Sequence, residues 1–330
     1  MTILVTGGAG YVGSHMAYAL VDRGEKVVVL DDLSTGHGEL VPEAAKLVKG
    51  DIADAKLVSR LIADEGINAI AHFAGSIVVS DSVADPLTYY ENNTVKSRAL
   101  IETAVAAKVE AFLFSSTAAV YGEPGADLLD EEQNLQPVSP YGWSKLMTEV
   151  MLRDSAAAYG LKYAALRYFN VAGADPEGRT GETREHATHL IEIAAQAATG
   201  RRNRMEVFGT DYPTPDGTCL RDYIHVTDLI DAHVKALMHL LNGGENFVAN
   251  CGYGHGFSVL QVVDAIKRVS GVDFRVDMSD RRPGDPPALV ADSARVREIL
   301  GWEPQYDDLD TIVKHALAWE DQLVKGRVKL

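Results

Sequence analysis

Ser139-Pro140-Tyr141-Gly142-Trp143-Ser144-Lys145 sets a phenol and an ammonium four residues apart. Ser139 is suited to cap a helix and Pro140 to open it, so the spacing predicts Tyr141 and Lys145 one turn apart on one face. A free phenol ionises at about pH 10, too high for a base at neutrality. A nearby ammonium, a helix N-terminus and a cationic ring held alongside would all favour phenolate, which can take a proton from a hydroxyl. An aromatic and a basic residue on a solvated helix would read the same way. The pair gains meaning only from what positions it.

Thr6-Gly7-Gly8-Ala9-Gly10-Tyr11-Val12-Gly13 supplies a second chemistry-bearing element. Gly8, Gly10 and Gly13 satisfy G-x-G-x-x-G, and Gly7, Gly10 and Gly13 are evenly spaced as well. Such a loop, between a strand and a helix, permits a tight turn, close approach to a pyrophosphate and close helix–strand packing. The helix N-terminus that includes Tyr11 and Val12 turns its amides toward phosphate charge. Asp31 falls 18 residues after Gly13, where a carboxylate can accept hydrogen bonds from a ribose. An acid there favours NAD over NADP. A bare tight turn is the bland alternative, but strand, loop, helix, strand and acid occur here in the required order.

The elements around these residues alternate. Ile3–Val5, Lys26–Leu30, Lys46–Val48, Ala69–Phe73, Ala111–Phe114 and Tyr163–Tyr168 read as short apolar strands. Val12, Met16, Ala17, Leu20 and Val21, then Leu57, Leu61 and Ile62, repeat at helical spacing. Apolar strands separated by amphipathic helices predict a Rossmann-type, doubly wound parallel α/β sheet. Ser115-Ser116-Thr117 would follow its fifth strand, at the carboxyl edge where open sheets bind ligands. Past about residue 170, glycine, proline and charge become frequent. Helical patterns recur near 187–199, 228–241, 258–269, 292–300 and 309–323, with a strand near 247–250. The expectation is residues 1–170 as an NAD-binding domain, with about 222–252 returning to it. Residues 171–330 would form mainly a smaller mixed α/β substrate domain.

The chain has 330 residues, 46% hydrophobic and 24% charged, with a formal net charge of −16. That balance repels phosphate backbones, so neither nucleic acid nor an anionic membrane is expected as a partner. Two distant cysteines, Cys219 and Cys251, make no disulfide framework and suit a reducing compartment. The first residues carry no export-signal pattern, and no apolar run approaches the roughly 18 residues of a membrane helix. A cytoplasmic protein is the expectation.

Longer runs add a resemblance. Tyr168-Phe169-Asn170-Val171-Ala172-Gly173, Phe208-Gly209-Thr210-Asp211-Tyr212, Arg221-Asp222-Tyr223-Ile224-His225-Val226 and Arg282-Pro283-Gly284-Asp285 occur in order. With the glycine loop, Thr117 and the Tyr–Lys pair, they resemble the extended short-chain dehydrogenase/reductase family, in its branch of UDP-sugar 4-epimerases, along nearly the whole chain. The resemblance implies a tightly held NAD that takes hydride from C4 of UDP-glucose or UDP-galactose and returns it to the other face of a 4-keto sugar. It implies cofactor contacts at Asp51, Ile52, Phe73, Ala74, Asn92 and Ser115, and also at Tyr141, Lys145 and Tyr168. Thr117, Tyr141 and Asn170 would meet the sugar or UDP, as would His189, Leu190, Phe208, Arg221, Tyr223, Arg282 and Asp285. Arginine suits bidentate grip of a diphosphate, although Arg221 and Arg282 could equally pair with Asp222 or Asp285. A homodimer through helices near 88–107 and 141–159 is implied too.

Three positions depart from the pattern: Ile77 where many members carry lysine, His189 where asparagine is frequent, and Leu289, intermediate between aromatic and small. His186 and His189 fall three apart in a helical pattern beside Glu182 and Glu185, but no metal is expected, since the family chemistry needs none. A dehydratase would need an acid–base pair after Thr117, where Ala118-Ala119 stands. A 4-epimerase of UDP-xylose/UDP-arabinose or of UDP-GlcNAc would use the same groups. A non-catalytic NAD-sensing protein is less consistent with an intact Thr117, Tyr141 and Lys145.

Overall fold

A computed structural model describes residues 1–124, 128–184, 187–282, 285–328 and 330. The first half runs β1 (Thr2–Thr6), α1 (Tyr11–Asp22), β2 (Lys26–Asp31), β3 (Lys46–Lys49), α2 (Ala55–Glu65) and β4 (Ala69–His72). It continues through α3 (Val79–Ala84), α4 (Pro86–Tyr90), α5 (Lys96–Ala106), β5 (Ala111–Thr117), α6 (Pro140–Tyr159) and β6 (Lys162–Tyr168). A π-helical turn, Glu91–Val95, joins α4 to α5. The second half adds β7 (Asn170–Ala172), α7 (Leu190–Ala198), β8 (Met205–Phe208), β9 (Leu220–Arg221), β10 (Tyr223–His225), α8 (Val226–Leu241) and β11 (Phe247–Cys251). It closes with β12 (Phe257–Ser258), α9 (Val259–Ser270), β13 (Val276–Ser279), β14 (Ala288–Leu289), α10 (Ala294–Leu300) and α11 (Leu309–Val324).

Seven parallel strands form the main sheet in the order β11-β6-β5-β4-β1-β2-β3. Every residue of β1, β4 and β5 is buried, because helices cover both faces. Alternate residues divide between two cores. Ile3, Val5, Val29 and Leu113 meet Met16 of α1 and Leu229 of α8 on one face. Leu4, Val28, Ile70 and Phe112 meet Val58 of α2 and Leu100 of α5 on the other. Each such side chain contributes roughly 1.5–3 kcal/mol when withdrawn from water. The strand alternation therefore fixes the register of both helical layers. Lys46 and Lys49 lie in β3, the outer strand, where charge discourages further pairing.

The chain lays β2 and β3 on one side of β1, then crosses to place β4, β5 and β6 on the other. This reversal opens a crevice beyond the carboxyl ends of β1 and β4. Residues 223–251 return to the sheet, with β11 pairing β6. The other late segments build small sheets, β8 with β13 and β9 between β12 and β14.

Candidate active site

The glycine loop closes the crevice from below. Gly7 has φ +71°, and a Cβ there would lie 2.5 Å from the Ala74 nitrogen. A Cβ on Gly13 would sit 2.1 Å from the Gly7 oxygen. Gly10, the N-cap of α1, has nothing nearer than 3.4 Å and borders the cleft. Gly8 packs against Val29 instead. The working spacing is therefore 7-10-13, with turn, open cradle and helix packing assigned in that order. Asp31 accepts hydrogen bonds from Ala9 N and Leu33 N, each at 2.9 Å, one on each carboxylate oxygen. Burial raises its pKa while these amides oppose the rise. Its remaining lone pairs face the cleft, where hydroxyl groups could donate to them.

The cleft has a volume of about 740 Å³, within the roughly 300–1,000 Å³ of ligand pockets. Gly7, Gly10, Tyr11, Val12, Gly13, Asp31, Asp51 and Ile52 line one part of it. Phe73, Ala74, Asn92, Ser115, Thr117, Tyr141, Tyr168 and Asn170 line the rest, with His189, Arg221 and Asp285 at the far wall. The side-chain-free cradle, the acid after β2 and the volume of the cleft fit a dinucleotide with a second ligand beside it.

Lys145, Leu190, Phe208, Tyr223 and Arg282 do not form that wall. Leu190 and Tyr223 border a smaller adjoining cavity together with His189 and Asn170. Arg282 stacks over the Phe208 ring at 3.8 Å; the Pro283-Gly284 centre of its motif lies outside the described residues. Arg221 lines the cleft, donating to Leu220 O at 2.8 Å and Pro286 O at 2.9 Å, with Asp285 3.4 Å away. Asp222 takes no part in that pair; its carboxylate accepts from Tyr253 N and Gly254 N. Ile77 and Leu289 both border the cleft, and Lys96 lies there paired to Asp51 at 2.7 Å.

Helix α6 begins as the sequence predicts: the Ser139 hydroxyl accepts from Gly142 N at 3.2 Å and Pro140 occupies the first turn. Tyr141 and Lys145 are both buried on it. Strand β5 extends beyond Phe114 to Thr117, so Ser115, Ser116 and Thr117 are its last residues rather than a following loop. The Lys145 ammonium donates to Ser115 O at 3.1 Å and lies 5.0 Å from the Phe114 ring centre. Ser115 Oγ donates to the Tyr168 hydroxyl at 3.2 Å.

One expectation changes. Burial and the neighbouring Tyr168 push the Tyr141 phenol above its ordinary range; Thr117 and Arg184 pull it back. Lys145 is not among the groups that pull it down; its ammonium donates to the Ser115 carbonyl. Burial lowers Lys145 itself to about 8, against an upward pull from Glu149.

The helical pairing of His186 with His189 also changes. His189 is the extended N-cap of α7, ahead of the helix, and burial lowers its pKa. His186 and Glu185 lie outside the described residues.

Sequence reasoning placed Glu182 only beside the histidine pair and missed Arg184 and Tyr89; all three border the cleft. Glu182 accepts from Thr183 N and Arg184 N, and Trp319 Nε1 anchors its carbonyl at 2.7 Å. Arg184 Nη1 is buried with no acceptor among the described residues. No periodic pattern marks this stretch; an arginine there gives no signal until the fold closes around it.

Residues 3–252 match the NAD dependent epimerase/dehydratase family. The chain is 56% identical to the UDP-glucose 4-epimerase of Azospirillum brasilense across 97% of this chain and 92% of that one. The structure of UDP-glucose 4-epimerase from Brucella ovis in complex with NAD is 46% identical, with a TM-score of 0.94, covering 96% of this chain and 97% of that chain. The UDP-Glc/GlcNAc 4-epimerase of Campylobacter jejuni, also 46% identical, has a TM-score of 0.86 and covers 97% and 99%. Likeness of this extent, in sequence and in fold, spans the segment that carries the cradle and the Tyr–Lys pair, and it makes the chain a member of the NAD dependent epimerase/dehydratase family.

Proposed function

We propose that this chain is an NAD-dependent UDP-glucose 4-epimerase, interconverting UDP-glucose and UDP-galactose by inversion at C4. The carrying observation is the buried Tyr141 phenol beside Thr117, facing the cleft that the Gly7-Gly10-Gly13 cradle closes. NAD, when bound, supplies a hydride acceptor at C4 and afterwards the donor to the opposite face. Tyr141, whose phenol the cationic nicotinamide ring would draw back toward phenolate, takes the O4 proton as the alcohol becomes a ketone and gives it back as the ketone is reduced. Thr117 holds the same oxygen in line. Lys145 holds the carboxyl end of β5 through Ser115 O. Ala118 and Ala119 follow Thr117 on the cleft wall, and neither can move a proton, so elimination has no acid–base pair there.

Asp31, the glycine loop, Asp51, Ile52, Phe73, Ala74, Asn92, Ser115, Lys145 and Tyr168 form the cofactor half in this reading. Asn170, His189, Arg221 and Asp285 serve the UDP-sugar, with Leu190, Phe208, Tyr223 and Arg282 behind them. Residues 1–170 and about 222–252 accordingly make the cofactor domain, and the rest of 171–330 makes the substrate domain.

A homodimer is supported by apolar side chains left exposed on α3 to α6: Val83, Leu87, Val95, Trp143, Met147 and Val150. Among the described residues no helix is long and apolar enough to cross a membrane. The buried free thiols Cys219 and Cys251 suit a cytoplasmic setting.

Proton NMR of the purified protein with UDP-galactose tests the activity. C4 inversion without added cofactor is expected, with no accumulation of reduced nicotinamide. A protein that interconverts no pair of UDP-sugar epimers contradicts the reading.

A further inference from the structure

Tyr141, Lys145 and Glu149 recur every fourth residue along α6, and all three are buried. Glu149 is held by two side chains. Arg167 of β6 donates Nη2 to its Oε2 at 2.7 Å and Nε to its Oε1 at 3.0 Å. Ser116 Oγ donates to Oε1 as well. Arg167 is braced in turn by the Tyr121 hydroxyl at 3.1 Å, which donates to Asn250 Oδ1 at 2.7 Å. Such a buried pair is seldom a source of stability, because desolvating two charges offsets their attraction. Its position suggests another use. Ser116, which anchors Glu149, adjoins Ser115, whose carbonyl holds the Lys145 ammonium.

We propose that Glu149, clamped by Arg167 and Ser116, is a positioning residue for Lys145, its fixed negative charge one turn along α6 holding the buried ammonium against the end of β5. This role rests on the epimerase reading of the site. The titratable groups on the elements that meet here are His72 of β4, Tyr141 and Glu149 of α6, and Arg167 and Tyr168 of β6. His72 is neutral, lowered to about 3 by burial and by Lys145, and hydrogen-bonded to Thr6 and Ser97. Both tyrosines are raised by burial. Glu149 is thus the carboxylate whose charge supports Lys145, and the Lys145 pKa responds to it upward.

The test is the pH–rate profile of the NAD-loaded enzyme with UDP-galactose. Glu149→Gln alone leaves Arg167 buried without a counter-charge, so Glu149→Gln/Arg167→Met removes the pair together. It is expected to hold NAD and to keep KM within about threefold, while kcat falls about twofold at pH 7 and about tenfold by pH 9. Its alkaline limb should move to lower pH by about one unit. Glu149→Asp keeps both charges but draws the carboxylate back, and its limb should lie between the two. A folded double variant with the wild-type limb overturns the proposal. Should the double variant not fold, Glu149→Asp decides alone: a shifted limb supports the proposal and a wild-type limb overturns it. Wild-type enzyme without epimerase activity would instead defeat the functional reading itself.

Discussion

Gly13 lies so close to Gly7 that a Cβ at Gly13 would stand 2.1 Å from the Gly7 carbonyl oxygen. That oxygen is backbone and cannot step aside, so Gly13→Ala must lift α1 off the loop. We expect the variant to emerge from gel filtration without NAD and with stability lowered by about 1–3 kcal/mol. Absorbance of the released nucleotide and a thermal melt check both.

Asp31 already spends one hydrogen bond per carboxylate oxygen on the loop, at Ala9 and Leu33. Its other lone pairs are assigned to the adenosine ribose. Asp31→Ala should weaken NAD about 10- to 100-fold, as losing a charged hydrogen bond of roughly 1.5–3 kcal/mol requires. Nucleotide retained after dialysis reads the outcome, and unchanged occupancy contradicts the ribose assignment.

Much of this site is legible in the sequence, and the limits are physical. Glycine spacing, the Ser139-Pro140 helix start and the β-branched strands are local signals, encoded within a few residues and visible in one dimension. The Lys145 contact is not. Only the folded chain shows the ammonium bonded to the Ser115 carbonyl, because β5 ends at Thr117, α6 begins at Pro140, and the two meet through packing. Motif position does not show side-chain partners either: Arg282 sits in a recognisable run, and only the fold shows it over the Phe208 ring. Arg184 shows the converse, a cleft residue in a stretch without periodicity.

The buried Nη1 of Arg184 has no acceptor among the described residues, and its guanidinium stands among the groups that lower Tyr141, Tyr168 and Tyr89. A substrate oxygen would complete it. Arg184→Leu should retain NAD while kcat/KM for UDP-galactose drops about 10- to 100-fold, with partial recovery in Arg184→Lys. Steady-state kinetics at matched NAD occupancy check it.

The buried lysine has a stability signature of defined sign. The folded chain releases the Lys145 proton at about 8, against an ordinary 10.5 once unfolded, so between these values the unfolded chain binds more protons. Unfolding free energy of the nucleotide-free protein should therefore rise with pH across that window, by up to about 3 kcal/mol. Lys145→Met should flatten that part of the curve. Urea melts of both proteins from about pH 7 to about pH 10.5 give the comparison.

The central claim is that the Tyr141 phenol moves the O4 proton. Tyr141→Phe keeps the ring that fills the cleft wall and removes only the hydroxyl. Proton NMR of this variant with UDP-galactose, on protein confirmed to carry NAD, should show C4 inversion slowed by roughly 10³-fold. Interconversion at the wild-type rate, with NAD in place, would contradict the account.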